Sequence, residues 1–254
     1  MANNSSGQQK IVSNFAEIID IVETFGTEWK PIDDSLTLVN LKARHAAAET
    51  LIESYNQATL FDQLKTDERR NAYISLNGLV KNIFASAKAC KMAEATIDRV
   101  KTLKDLIDGT NVTQAAARRD QKNEKAKSLL PEGTAAPETS KSRSVSQQTF
   151  DDRYDNFKLL ITLLTTSGDY KTNEDNLTIE ALNAYLTQLA TANKATRDAD
   201  NALKVKREER DKLLSGAENS IYADVTGIKN YLILKEGRLG VNYKKVTAYT
   251  FARL

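Results

Sequence analysis

The chain has 254 residues, enough for one large domain or two of ordinary size. It holds only ten glycines and three prolines, and alanine, leucine, lysine, glutamate, aspartate and asparagine dominate, a composition typical of helices. The 36 basic and 34 acidic residues leave a formal charge of +2, which argues against attraction of the whole molecule to nucleic acid or anionic lipid.

Residues 1–10 form a polar segment without the apolar core that a secretory signal requires. We therefore expect a cytoplasmic protein, and a surface or extracellular location by a non-standard route stays open. The longest apolar run, Leu159 to Leu164, is far shorter than the roughly 20 residues that a helix needs to cross a bilayer. No membrane span is predicted.

An internal repeat organises the chain, because residues 28–43 reappear 141 positions later at residues 169–184. Six aligned positions are identical: Lys30/Lys171, Asp34/Asp175, Leu36/Leu177, Thr37/Thr178, Leu41/Leu182 and Ala43/Ala184. Residues 80–82 match residues 228–230 at an offset of 148, which predicts a one-heptad insertion in the second copy. The sequence thus predicts two copies of one helical unit.

Each copy opens with an amphipathic helix that ends at a glycine, Gly26 or Gly168. Apolar residues recur at steps of four and three: Ile11, Phe15, Ile18, Val22 and Phe25 in the first copy, and Phe150, Tyr154, Phe157, Ile161 and Leu164 in the second. Polar triplets at residues 33–35 and 174–176 predict the start of a second helix in each copy. A helix of about 40 residues is roughly 60 Å long, so an elongated bundle is expected.

Third helices are predicted at about residues 79–107 and 217–236. The fold class is therefore an all-α, elongated helical bundle built from two quasi-equivalent three-helix units with long helices. A segment dense in serine, lysine and glutamate, holding two of the three prolines, is typical of a linker. The predicted organisation is a polar N-terminal arm 1–10, a helical repeat 11–107, a helix end and polar linker 108–147, a second helical repeat 148–236, and a basic and aromatic C-terminal arm 237–254.

Few residues are suited to catalysis or metal binding. His45 is the only histidine, and we expect it at an exposed or partly buried helix position. Cys90 is the only cysteine, which excludes an internal disulfide and favours a small buried hydrophobe. The glycines of residues 237–240 indicate a turn, and Trp29 and Tyr170 are predicted to close the ends of apolar cores. We therefore predict no enzymatic activity, no cofactor and no metal site.

The C-terminal segment combines basic and aromatic residues, and it supplies the candidate self-association contacts: Tyr243, Lys244, Lys245, Tyr249, Phe251 and Arg253. Alternating side chains over residues 246–253 suit an extended arm. Such an arm either folds back on its own bundle or docks on a neighbour. Single-stranded nucleic acid is a third and less favoured partner for this composition.

Residues 228–232, Ile-Lys-Asn-Tyr-Leu, and residues 242–247, Asn-Tyr-Lys-Lys-Val-Thr, give this end of the chain a recognisable pattern. Over about 25 residues the pattern resembles the C-terminal ends of uncharacterised duplicated helical proteins from bacteria. The resemblance implies no activity.

The leading hypothesis is a non-enzymatic structural protein that self-associates, in a filament or an array, with a second copy of itself as its main partner. Long helices, two similar faces from the duplication and terminal arms suited to docking favour it. Two alternatives stay open. One is a helical adaptor that binds another protein, and the other is a long-helix pore-forming toxin component, for which the polar linker offers no apolar hairpin.

Overall fold

The computed structural model describes residues 5–109 and 149–251. These residues are helical with connecting turns, and no strand occurs among them, which confirms the all-α prediction. The helices are α1 (Ser5–Glu23), α2 (Leu38–Ile74), α3 (Leu76–Ala89), α4 (Glu94–Asp108), α5 (Phe150–Ser167), α6 (Ile179–Ser215), α7 (Ile221–Glu236) and α8 (Val241–Ala248). Most of the predicted linker 108–147 lies outside the described residues. Helix α1 begins at Ser5, inside the segment predicted as a polar arm.

The ends of the opening helices follow from local chemistry. Thr149 and Asp152 form a capping box at the start of α5, with the Thr149 hydroxyl accepting from the Asp152 amide at 3.1 Å. Gly168 ends α5 with a φ of +69°, and Gly26 adopts a φ of +52° just after α1. A glycine tolerates this left-handed conformation because it has no Cβ. Gly168 is confirmed as a helix stop, whereas α1 ends at Glu23 and Gly26 begins a 3₁₀ turn shortly after it.

The approach to each long helix has the same form. A short 3₁₀ turn, Asp34–Leu36 or Asp175–Leu177, precedes a helix of 37 residues, α2 or α6. The Asp33 carboxylate caps the first turn by accepting from the Ser35 amide at 2.9 Å. Glu174 makes no such side-chain bond. The triplets predicted as helix starts therefore form these turns, and the long helices begin a few residues later.

The chain divides into two compact units that interleave the two predicted repeats. Unit 1 comprises residues 1–64 and 197–254, and unit 2 comprises residues 65–196. Each long helix contributes to both units, because the divisions fall within α2 and within α6. A unit therefore contains the opening helix of one copy and the third helix of the other.

Each unit has its own apolar core. The core of unit 1 is formed by Ile11, Val12, Phe15, Ile18, Ile19, Val22, Leu36, Leu41, Ala48, Ile52, Leu214, Ile221, Val225, Ile228, Leu232 and Val246. The core of unit 2 is formed by Tyr73, Leu76, Val80, Ile83, Ala87, Met92, Val100, Ile107, Phe157, Leu160, Ile161, Leu164, Leu177, Leu182 and Leu189. Burial of each large side chain stabilises the fold by about 1.5–3 kcal/mol.

The predicted third helix at 79–107 is wrong as one continuous helix. Helix α3 ends at Ala89, Lys91 has a φ of +53°, and α4 begins at Glu94. Met92, between the two helices, is buried in the core of unit 2. The break between the two helices coincides with burial of the Met92 side chain. Residues 89–94 contain neither glycine nor proline, the residues that usually signal such a break.

The predicted one-heptad insertion does not match the positions of α3 and α7. Their buried residues follow the same spacing, Leu76, Val80, Ile83 and Ala87 in α3 and Ile221, Val225, Ile228 and Leu232 in α7. These sets coincide at an offset of 145. The single residue Ser75 separates α2 from α3, whereas residues 216–220 separate α6 from α7. The segment from α6 to α7 is therefore four residues longer than the segment from α2 to α3, and the extra residues lie in a connection.

Candidate functional site

The predicted C-terminal arm is largely helical. Gly237 ends α7 with a φ of +72°. The Glu236 carboxylate then accepts from the Asn242 amide at 3.1 Å and from its side-chain nitrogen at 2.6 Å, which satisfies donors at the start of α8. Residues 237–240 form the predicted turn, closed by the Gly240 amide donating to the Gly237 carbonyl at 3.1 Å. The extended conformation predicted from residue 246 onward is wrong up to residue 248, because helical hydrogen bonding continues there.

The aromatic residues of this segment lie on their own unit. Tyr243, Tyr249 and Phe251 are partly buried against the core of unit 1, beside the fully buried Val246. Helix α8 contacts α1 and α7. The structure thus shows the folded-back arrangement for these side chains.

The basic residues of the segment have a different placement. Lys244 and Lys245 are exposed on α8. Arg253, the remaining candidate contact, lies outside the described residues. The two lysines are therefore the part of the predicted contact set that points to solvent.

A cleft of about 350 Å³ lies between α7 and the C-terminal segment in unit 1. It is lined by Tyr222, Val225, Thr226, Lys229, Asn230, Ile233, Tyr243 and Phe251. Burial lowers the pKa of Lys229. Sequence reasoning missed this lysine, because a single basic residue within a helix carries no signal of its surroundings.

A larger cleft of about 590 Å³ lies in unit 2, between the end of α3 and the segment after α5. Its lining includes Ser86, Cys90, Lys171 and Leu177. The Cys90 thiol donates to the Lys171 carbonyl at 2.6 Å, and the Lys171 amide donates to the Cys90 sulfur at 3.4 Å. Cys90 is partly buried and packs against the core of unit 2, so the predicted burial is only partial. It lies at the end of α3.

A buried ion pair in unit 1 joins Arg44 of α2 to Asp224 of α7. The Asp224 side chain is only 3% exposed, and burial raises its pKa to about 6, while the Arg44 guanidinium acts in the opposite direction. Asp33 is a further carboxylate close enough to raise that pKa. Nothing in the sequence distinguishes Asp224 from a surface aspartate in the first turn of a helix.

A polar network crosses the core of unit 2. The Asn193 side-chain amide donates to the Tyr73 hydroxyl at 2.9 Å, and that hydroxyl donates to the Phe150 carbonyl at 2.9 Å. Burial raises the pKa of Tyr73 to about 12. A tyrosine held neutral in this way acts as a structural donor, since a buried hydroxyl requires a partner.

The remaining predicted positions have structural roles. Trp29 donates to the Leu36 carbonyl at 2.8 Å and Tyr170 to the Leu177 carbonyl at 3.2 Å, and each ring packs against the core of its unit, as predicted. His45 is partly buried, as expected, and its Nδ1 lies 3.7 Å from a Glu49 carboxylate oxygen.

Within residues 5–109 and 149–251, no group of three or more His, Cys, Asp or Glu side chains is arranged to hold a metal ion. In the same part of the chain, no helix has an apolar stretch long enough to cross a bilayer. The chain matches no family model, and no curated protein or solved structure is significantly similar to it.

Proposed function

We propose that the protein is a non-enzymatic structural protein that self-associates, in a filament or an array. The observation that carries the proposal is a cluster of exposed apolar side chains on one turn of α2, within unit 1. Leu60 is 66% exposed, Phe61 50% and Leu64 53%. We call these three residues the α2 patch. Contiguous apolar surface of this kind marks interaction sites in soluble proteins, whereas single exposed leucines need no explanation.

A duplicated chain would present related surfaces twice, and several paired features support the duplication. The 37-residue helices begin at Leu38 and Ile179, 141 positions apart, and each follows a similar 3₁₀ turn. At the same offset, Leu64 corresponds to Val205 of α6, which is 52% exposed. Similar exposed positions on the two long helices allow either a symmetric or a head-to-tail contact between copies.

Of the C-terminal segment, only the exposed Lys244 and Lys245 are proposed as interface contacts. Because Tyr243, Tyr249 and Phe251 pack on the core of unit 1, removal of residues 237–254 would damage the fold as well as any interface. Reversing the charge of the exposed Lys244 and Lys245 is the sharper test of this segment. These lysines would act at the rim of an interface, where charge mainly sets orientation and association rate.

The test measures particle mass by light scattering, with negative-stain imaging, over a range of protein concentrations. We expect the wild type to form particles heavier than one chain. The variant Leu60→Glu/Leu64→Glu should shift them toward the monomer, because charge in a buried apolar contact is costly. Leu234→Glu is the matched control, since this residue of α7 is 77% exposed and lies outside the α2 patch.

Circular dichroism of each variant separates loss of assembly from loss of helix. A wild type that stays a monodisperse monomer at high concentration would refute self-association. Equal assembly of the patch variant and the control would remove the α2 patch from the interface. A monomer that binds a different protein through the α2 patch would favour the adaptor alternative.

A further inference from the structure

The cleft beside Cys90 in unit 2 lies where unit 1 holds a tyrosine ring, and we propose that this cleft binds a phenolic ring. The inference rests on the equivalence of the two copies, and not on self-association. Two aligned pairs and the register of the facing helices support that equivalence at this place. Lys30 corresponds to Lys171 and Leu36 to Leu177 at an offset of 141, while the buried residues of α3 and α7 coincide at 145.

In unit 1, Tyr231 of α7 fills the space beside the 3₁₀ turn. Its ring centroid lies 4.5 Å from that of Trp29, with the planes at 69°, an edge-to-face arrangement that aromatic pairs favour. Its hydroxyl accepts a hydrogen bond from the Lys30 amide at 3.1 Å. The phenol therefore supplies both packing and an acceptor for a backbone donor that has no helical partner.

In unit 2, the position equivalent to Tyr231 is Ser86, which carries no ring. Tyr170 takes the place of Trp29 and keeps the bond to the carbonyl that follows, that of Leu177. Ser86, Lys171 and Leu177 all line the open cleft of about 590 Å³. The Lys171 backbone and the Leu177 side chain beside the missing phenol are thus retained, and the cleft is open next to them. The Tyr170 ring does not line the cleft, and its hydroxyl is hydrogen-bonded with Ser86.

The Lys171 amide of unit 2 corresponds to the Lys30 amide of unit 1, but its hydrogen-bond acceptor is weaker. Among the described residues the Lys171 amide donates to the Cys90 sulfur, at 3.4 Å, and sulfur is a poor acceptor. A phenolic oxygen placed as in unit 1 would offer this amide a stronger bond. The cleft is therefore matched to a ring with a hydroxyl group, either in a free small phenol or in a tyrosine side chain of a polypeptide.

The test titrates the full-length protein with p-cresol, and in a second arm with N-acetyl-tyrosinamide, while amide chemical shifts are followed by NMR. We expect saturable shifts around residues 85–90 and 171–174. Toluene should bind more weakly than p-cresol, because it lacks the oxygen that accepts from Lys171. Binding of p-cresol alone indicates a free phenol, whereas binding of both probes indicates a tyrosine side chain.

The variant Ser86→Tyr places a ring in the cleft and should weaken p-cresol binding at least about tenfold, or 1.4 kcal/mol. Lys81→Tyr is the matched control, because it adds the same ring to an exposed position of α3 outside the cleft. Wild-type protein gives a second readout, since p-cresol should slow the alkylation of Cys90, the only thiol, by iodoacetamide.

Absence of saturable shifts with either probe, or shifts that persist unchanged in Ser86→Tyr, would overturn the proposal. Unprotected Cys90 in the presence of saturating p-cresol would do the same, even if Ser86→Tyr failed to fold. Light scattering on the same samples reports self-association separately. Failure of the phenol site is therefore distinguishable from failure of the proposed assembly.

Discussion

The buried Asp224 carboxylate should make the stability of unit 1 depend on pH in an unusual direction. Burial raises the pKa of Asp224 from 3.8 to about 6, against the influence of Arg44. The folded state then binds a proton that the unfolded state releases, over the interval from about pH 4 to pH 6. The contribution of Asp224 to stability is therefore greatest below this interval and is lost as the pH rises through it.

The magnitude follows from the size of the shift. A change of one pKa unit corresponds to about 1.4 kcal/mol, so the carboxylate should cost unit 1 about 3 kcal/mol between pH 4 and pH 7. Most aspartates behave in the opposite way, because ion pairs and hydrogen bonds usually lower their pKa. Asp33 illustrates the usual case, since a hydrogen bond from Ser35 lowers its pKa.

The assay is urea denaturation at several pH values from 4 to 7.5, followed by tryptophan fluorescence. Trp29 is the only tryptophan, and its ring packs against Tyr231 of α7, so its emission reports on the unit that contains Asp224. Asp224→Asn should remove the decline in unfolding free energy that the wild type shows across this range. The absolute stability of the variant is less informative, because Arg44 loses its ion partner.

Glu218→Gln is the matched control, since Glu218 is exposed and lies just before α7. This variant should keep the pH dependence of the wild type. If Asp224→Asn and the wild type lose stability in parallel as the pH rises, the buried carboxylate is not the cause and the reasoning is refuted.

Two paired comparisons test the packing. Leu160 is fully buried in the core of unit 2, so Leu160→Ala should lower the unfolding free energy by about 2–5 kcal/mol in chemical denaturation. Leu159 is 56% exposed, so Leu159→Ala should change the unfolding free energy by less than about 0.5 kcal/mol. Gly227→Ala should destabilise by about 1–3 kcal/mol, because its Cβ would lie 2.8 Å from a Leu36 methyl carbon. Gly78→Ala meets no atom within 4 Å and should raise the thermal midpoint through a gain of about 0.5–1 kcal/mol. Equal effects within either pair would contradict the packing described.

The helical class and the long helices could be predicted because they depend on patterns spread over many residues. The four-three spacing of apolar residues and the glycine turns at Gly26 and Gly168 are local signals, and they do not depend on contacts with distant residues. The break after Ala89 could not be predicted, because it depends on where Met92 finds a buried site in the folded unit. The C-terminal helix was missed for a related reason, since alternation and helical periodicity are hard to separate over eight residues.

The candidate sites were less accessible to sequence reasoning. The cleft in unit 2 lies beside Ser86, which pairs with Tyr231 at an offset of 145, whereas an alignment at an offset of 148 pairs other residues. The ion pair between Arg44 and Asp224 joins distant parts of the chain. Both features depend on contacts between residues far apart in the sequence, whereas sequence patterns mainly predict each helix by itself.

Unit 1 combines two separate stretches of the chain, so fragments of the chain should not fold independently. Phe15 and Leu41 from the first stretch share a core with Ile228 and Leu232 from the second. A fragment of residues 1–109 therefore lacks the helices that cover its own apolar faces, and burial of those faces is the main source of stability. We expect such a fragment to be poorly structured as a monomer, and to gain helicity and native Trp29 emission when mixed with residues 149–254.

Residues 1–109 can also bury their apolar faces by pairing with a second molecule of the same fragment. Because the buried residues of α3 and α7 follow the same spacing, another molecule of residues 1–109 can offer its own α3 where α7 is absent, so a homodimer is the expected product at high concentration. Sedimentation combined with circular dichroism distinguishes these outcomes. A folded, monomeric fragment of residues 1–109 with native Trp29 emission would contradict the shared core, because its stability would then not depend on residues 149–254.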